Sequence, residues 1–199
     1  MDIKAKREAD ILAAACKVIR MRGYHNMRMA EIAKEADISY GLVYHYYKSK
    51  SALFDAILDK WWSSMNEMID DDLQKNGSIE EKLGAIVDFF IEQYREQPDL
   101  VHIFITEVSR STANLTPERL DAFRHWIQRT ERLISKAQSR GELRQDIKSS
   151  YMTTFFLGGL ETLVSTMVLD GRPIRNKAQK ERMVNNMLEQ FFNGARPLD

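Results

Sequence analysis

Only one cysteine, Cys16, occurs in the 199 residues, so an internal disulfide and a cysteine-built zinc site are both excluded and stability has to come from an apolar core or from oligomerisation. Glycine and proline are sparse, at 9 and 4, which rules out collagen-like and low-complexity chains. No uninterrupted apolar run approaches the roughly 18–20 residues of a membrane-spanning helix, and Met1-Asp2-Ile3-Lys4 has no apolar stretch behind its charges. The expected location is the cytoplasm, with no membrane partner. The constellations of catalysis are missing too. His25, His45, His102 and His125 fall on separate segments without His-x-x-x-His spacing, and there is neither a phosphate-cradling glycine loop nor a Gly-x-Ser-x-Gly elbow. The expectation is a protein that is not an enzyme and that needs no metal and no cofactor.

What is present is a composition of 44% hydrophobic and 29% charged residues, the profile of a globular chain with a sizeable core. Its net charge of zero conceals an asymmetry. The first 50 residues hold ten Lys/Arg against six Asp/Glu, whereas the remaining 149 hold 19 against 23. A basic head on an acidic body points towards a polyanion as partner of the head.

Apolar residues recur with helical period nearly throughout, and no alternating run bounded by turns reads as a strand, so the predicted fold class is all-α. A first helix over about 5–22 carries Ile11, Leu12, Ala15, Cys16 and Ile19 and stops at Gly23; Cys16 on its apolar face reads as a small buried hydrophobe. A short second helix spans about 29–36, and a third begins at Tyr40 with Ser39 as its cap. Ser49 or Ser51 caps a long fourth helix that runs to about Leu73. Further helices are expected up to Tyr94, over about 99–111, from Thr116-Pro117 to near Gly141, over about 147–169 and over about 178–192. No flexible linker separates head from body, so the fourth helix is expected to serve both. The expected division is a basic head over 1–50 and an acidic body over 51–199.

Residues 29–47 are the informative stretch. Small Ala33 and Ala36, a three-residue turn at Asp37-Ile38-Ser39 and a short second helix make a helix-turn-helix, because steeply crossing helices need small side chains where they touch. Ile32, Ile38, Val43 and Tyr47 form the predicted inner seam. The opposite face presents Tyr40, Gly41, Leu42, Tyr44, His45 and Tyr46, with Lys48 and Lys50 just beyond. So many aromatic residues on a helix of about two turns cannot all point inward. Hydroxyls, imidazole and ammonium groups suit phosphates and base edges of double-stranded DNA, and Gly41 lets the backbone approach.

This stretch resembles the TetR family of bacterial transcriptional regulators. Gly41, Tyr44, Tyr47, Lys50 and Leu53 match that family's Gly-x-x-Tyr-x-x-Phe-x-x-Lys-x-x-Leu signature at the same spacing, with Tyr47 where Phe is usual. The resemblance covers about the first quarter of the chain and implies a DNA-binding head on a ligand-binding, dimerising body. Carried over by position, it makes Tyr40, Gly41, Tyr44 and His45 candidates for the major groove and Tyr46 and Lys50 candidates for phosphates. Arg28 and Ser39 join them as backbone contacts near helix N-termini, and Lys48 as added charge.

In the body, Met65, Met68, Phe90, Tyr94, Phe104, Phe123, Trp126 and Phe155 are candidates for an adaptable apolar effector site, with Glu107 as a polar anchor and Glu161 as a second candidate anchor. The last two helices carry apolar stripes too wide for a single contact, and Gly158-Gly159 disfavours a helix interior unless something approaches closely. Phe156, Gly159, Leu163, Met183, Met187 and Phe191 are therefore candidates for a homodimer interface; a core within one chain is the alternative. The functional reading is a homodimeric, ligand-responsive regulator, most simply a repressor, that holds a pseudo-palindromic operator and is released by a small apolar or amphipathic molecule. The alternative is an all-helical carrier of such a molecule that binds no DNA.

Overall fold

The computed structural model describes residues 3–74, 77–109 and 116–196, and among these there are nine α-helices, one π-helical segment and no strand. The helices are α1 (Ile3–Arg22), α2 (Met29–Glu35), α3 (Tyr40–Tyr46), α4 (Lys50–Gln74), α5 (Ile79–Glu96), α6 (Pro98–Ile103), α7 (Pro117–Ser139), α8 (Ser149–Asp170) and α9 (Lys177–Ala195); the π segment, Phe104–Ser109, continues α6. The chain forms two compact units. The first comprises Met1–Ser63 and Asp99–Asn114, the second Ser64–Pro98 and Leu115–Asp199.

In the first unit the punctuation foreseen in the sequence sets the path. Gly23, at φ +75°, closes α1 with its N–H donating to the Ile19 carbonyl at 2.7 Å. After α2, Asp37 takes φ +51° and Ile38 N–H donates to the Ala33 carbonyl at 3.0 Å, which swings the chain into α3. Ser39 caps α3, its hydroxyl accepting from Leu42 N–H at 3.3 Å, and Ser49 rather than Ser51 caps α4, accepting from Ala52 N–H at 3.0 Å. Ile11, Ile19, Ile32, Val43, Leu53, Phe54 and Trp61 meet in a core from which water is excluded. Cys16 lies among them with its thiol pushed up to about 12, first by burial and then by the Asp99 carboxylate, so it is chemically inert.

Where one helix over 99–111 was expected, the chain leaves α-helical register at Phe104 for six residues of π-helix. The wider turn places Phe104, Ile105 and Val108 all in the interior of the first unit, where Phe104 stacks on Trp61 at 4.7 Å. Position 110 and the next five lie outside the described residues.

The second unit is built from the last turns of α4 with α5, α7, α8 and α9. Ser78 and Glu81 cap α5 reciprocally: Glu81 N–H donates to the Ser78 hydroxyl at 3.2 Å and Ser78 N–H to the Glu81 carboxylate at 2.9 Å. Thr116 caps α7 and Asn176 caps α9. Gln138 ties the α7–α8 connection, donating to the carbonyls of Arg144 and Ile147, each at 2.7 Å. Lys180 of α9 sits between Asp88 and Glu92 of α5, at 2.9 and 3.1 Å, and the two carboxylates raise its pKa. Although no uninterrupted apolar run in the sequence reaches membrane-spanning length, α8 is long and apolar enough on average to cross a membrane. Part of that apolar character is core, and the rest faces outward.

Candidate nucleic-acid and effector sites

The candidate recognition face stands on α3. Val43 alone of this helix is fully buried, which turns Tyr40, Gly41 and His45 outward and leaves Tyr44 and Tyr46 half-covered at the edges. Tyr40 is 53% exposed, and its ring lies 4.8 Å from that of Tyr44. A hydrogen bond with Tyr44 raises the Tyr40 phenol above the ordinary tyrosine value, so the Tyr40 hydroxyl stays protonated and can donate and accept. A Cβ added at Gly41 would meet no atom within 4 Å, so nothing inside this unit requires the glycine. An approaching backbone or base edge from outside supplies a reason. Tyr47, on the inner side, is half-buried, and burial raises its phenol; the aromatic plug fits despite the extra hydroxyl.

The flanking residues divide into free and engaged. Lys48 is exposed, whereas Lys50 Nζ donates to the His25 carbonyl at 2.7 Å and rests 4.7 Å over the Tyr24 ring. Lys50 therefore fastens the turn after α1 to the start of α4, a structural task that its role as a phosphate candidate did not foresee. Arg28 caps α2 through its backbone, whose N–H donates to Glu31 at 3.0 Å, and its side chain is exposed. The Ser39 hydroxyl is taken by the α3 cap.

The effector candidates are divided between the two units. Phe104 and Glu107 belong to the first. Glu107 accepts from Tyr24 N–H at 3.2 Å across a sequence separation of 83, so this carboxylate holds the turn after α1. Glu107→Ala is expected to lower stability by about 1–2 kcal/mol, the cost of an amide left without its acceptor, with ligand affinity unchanged. Unchanged thermal unfolding together with weakened ligand binding would instead make Glu107 a ligand anchor.

In the second unit, Phe90 and Trp126 are buried and Phe89 and Phe123 half-buried; the Phe90 ring lies 5.7 Å and the Phe123 ring 5.8 Å from Trp126. Met65 is fully buried and Met68 half-buried on α4. Tyr94 is a clamp, its hydroxyl donating to the Met167 carbonyl at 2.8 Å, with the Arg172 carbonyl 3.2 Å away. Glu161 is half-buried and accepts from the Ser165 hydroxyl at 3.2 Å. Sequence reasoning passed over Arg119. In the first turn of α7, after Pro117-Glu118, it reads as a solvated charge, yet it is only 8% exposed, two turns before Trp126 on the same face.

Phe155 departs from its expected place. It is 71% exposed on the outside of α8, because the residue that turns inward is its neighbour Phe156, one step of about 100° around the helix. Phe156 and Phe191 in turn are buried within their own unit, with ring centroids 5.2 Å apart, so these two interface candidates are core residues of one chain. They floor an outward groove whose walls are Phe155, Gly159, Leu163, Met183 and Met187. Around Gly158 a Cβ would meet nothing, and at Gly159 only Met187 at an ordinary 3.6 Å, so the two glycines are not needed by this chain's own packing.

Comparison with known proteins supplies the context for both sites. The model described as bacterial regulatory proteins of the tetR family matches residues 11–57, and that of the C-terminal region of the YsiA-like protein matches residues 58–190. The fatty acid metabolism regulator protein of Bacillus subtilis (strain 168) is 20% identical over 194 residues, 98% of either chain. Among solved structures, FadR from Bacillus subtilis in complex with stearoyl-CoA superimposes with a TM-score of 0.76 at 20% identity, covering 94% of this chain and 98% of that one. AibR in complex with isovaleryl coenzyme A and operator DNA does so with a TM-score of 0.75 at 23% identity, covering 94% and 99%.

Proposed function

The chain belongs to the TetR family of bacterial regulatory proteins, a ligand-responsive DNA-binding regulator, and from that premise we propose that it is a cytoplasmic homodimeric repressor, without catalytic activity, whose effector is an acyl-coenzyme A thioester. The observation that carries the reading is the pairing, in one chain, of an outward α3 face with a body that matches the YsiA-like C-terminal region throughout 58–190. The likeness to FadR with stearoyl-CoA and to AibR with isovaleryl coenzyme A supports the ligand class. The aromatic group of Phe90, Phe123 and Trp126 supports an apolar acyl tail. With residues 11–57 matched by the DNA-binding model, the DNA-free carrier is set aside.

Residues 1–50 contribute the DNA-binding head and 51–199 the effector and dimerisation part. Tyr40, Gly41, Tyr44 and His45 meet the major groove, while Arg28, Ser39, Tyr46, Lys48 and Lys50 face the phosphates. Two such heads reach successive major grooves of a pseudo-palindrome. Effector binding favours a population of dimers whose heads no longer fit both half-sites, and α4, whose residues belong to the first unit through Ser63 and to the second from Ser64, is the element that both share.

The test is binding of the purified protein to duplexes from around its own coding region at several salt concentrations, followed by titration with acyl-CoA thioesters of increasing chain length. Salt-sensitive binding to one pseudo-palindromic duplex, released by long-chain thioesters and not by free coenzyme A, is the expected result. Lys48→Ala should weaken all sequences alike and reduce the salt slope by about one, whereas Tyr40→Phe should change sequence preference. Specific binding that no thioester releases would overturn the effector assignment and leave the DNA-binding role standing.

A further inference from the structure

Trp126 carries a polar atom that the packing leaves unanswered. Its side chain is 5% exposed, and its indole Nε1 has no hydrogen-bond acceptor among the described residues. A buried donor without a partner is costly, and native structures keep few of them. Thr130, one turn further along α7, donates its hydroxyl to the Trp126 carbonyl at 3.2 Å and so does not answer the indole. The rings of Phe90 and Phe123 flank the indole, so an ionic group placed against it would exchange its hydration for two apolar rings. A neutral oxygen acceptor attached to an apolar chain fits both conditions.

We propose that the Trp126 indole N–H is the hydrogen-bond donor to the acyl carbonyl oxygen of the effector, and so selects acyl compounds over alkyl compounds of equal length. This rests on the acyl-thioester reading above and assigns one specificity-determining contact within it. The test is calorimetric titration of the full-length protein with palmitoyl-CoA and with S-hexadecyl-CoA, its thioether analogue, which keeps the chain and coenzyme A but lacks the carbonyl. The wild type is expected to bind the thioester about tenfold more tightly, the factor one hydrogen bond in a dry site supplies. Trp126→Phe, which retains the ring without the N–H, is expected to bind both equally. Equal binding by the wild type, or a preference that survives in Trp126→Phe, would overturn the assignment of the donor alone. Failure of the wild type to bind either compound would overturn the acyl reading and this contact with it. Because the wild-type comparison needs no variant, the result does not depend on how well Trp126→Phe folds.

Discussion

Phe155→Glu, in the outward groove of α8 and α9, is expected to yield monomers and to weaken operator binding by about a thousandfold or more. Phe155 is 71% exposed in its own chain, so the substitution removes little packing within the protomer. Phe155 lines the groove together with the interface candidates Gly159, Leu163, Met183 and Met187, and if that groove seats a partner's apolar wall a carboxylate there loses its water with no cation to replace it. With one head per particle, a half-site is bound little better than random duplex, and the gap between specific and non-specific binding spans roughly three to seven orders of magnitude. Light scattering on the eluting protein reads the mass, and fluorescence anisotropy of a labelled operator reads affinity. Phe155→Leu serves as the apolar control and should remain dimeric. A dimeric Phe155→Glu that still binds the operator would show that the groove is not the interface, and the exposed Gly158-Gly159 would then lack the purpose argued for them.

Trp61→Ala is expected to destabilise the first unit by about 3–5 kcal/mol, the range for emptying a large aromatic site in a core. Trp61 is 1% exposed; its ring stacks on Phe104, which also meets Trp62 edge-on at 5.4 Å. The loss is comparable with much of the roughly 5–15 kcal/mol that holds a domain folded. Because Phe104 opens the π segment, the segment that carries Glu107 should loosen first. Hydrogen exchange should show the amides of Phe104–Ser109 and the Tyr24 N–H losing protection in the variant ahead of those of α2 and α3. Operator binding is expected to fail at 37 °C and to recover on cooling. Trp61→Phe should retain most of the stability. A loss below about 1 kcal/mol for Trp61→Ala would mean that the aromatic stack contributes little and that α6 is held by other contacts.

The parts of the fold that were legible beforehand are those that local chemistry dictates. Gly23, Ser39, Ser49 and Thr116 each end or begin a helix at the expected place, because capping involves groups two to four positions apart. The outward face of α3 was legible for the same reason: with Val43 inside, helical period alone sends Tyr40 and His45 out. The family signature, a local pattern, carried the function of the head and the class of the body.

The remainder was not written locally. Lys50 and His25 are 25 positions apart, Glu107 and Tyr24 are 83 apart, and no pattern in the chain announces either pair. Lys50 reads in the sequence as a phosphate contact and Glu107 as an effector anchor, because a charged side chain looks the same there whether or not a distant backbone group also engages it. The break into π-helix at Phe104 is likewise set by what the segment packs against, since its sequence is compatible with an ordinary α-helix. Phe155 and Phe156, and the burial of Arg119, show the same division at the scale of one residue: the apolar stripe on α8 is visible in the sequence, but which of two adjacent phenylalanines turns inward depends on where α9 lies. The sequence by itself thus determined most of the helices and their caps, the outward face of α3 and the family resemblance, because each depends on short-range hydrogen bonds and periodicity. Tertiary structure decided which polar groups were already satisfied and which, like the Trp126 indole, were left over, because satisfaction depends on neighbours that only packing brings within 3 Å.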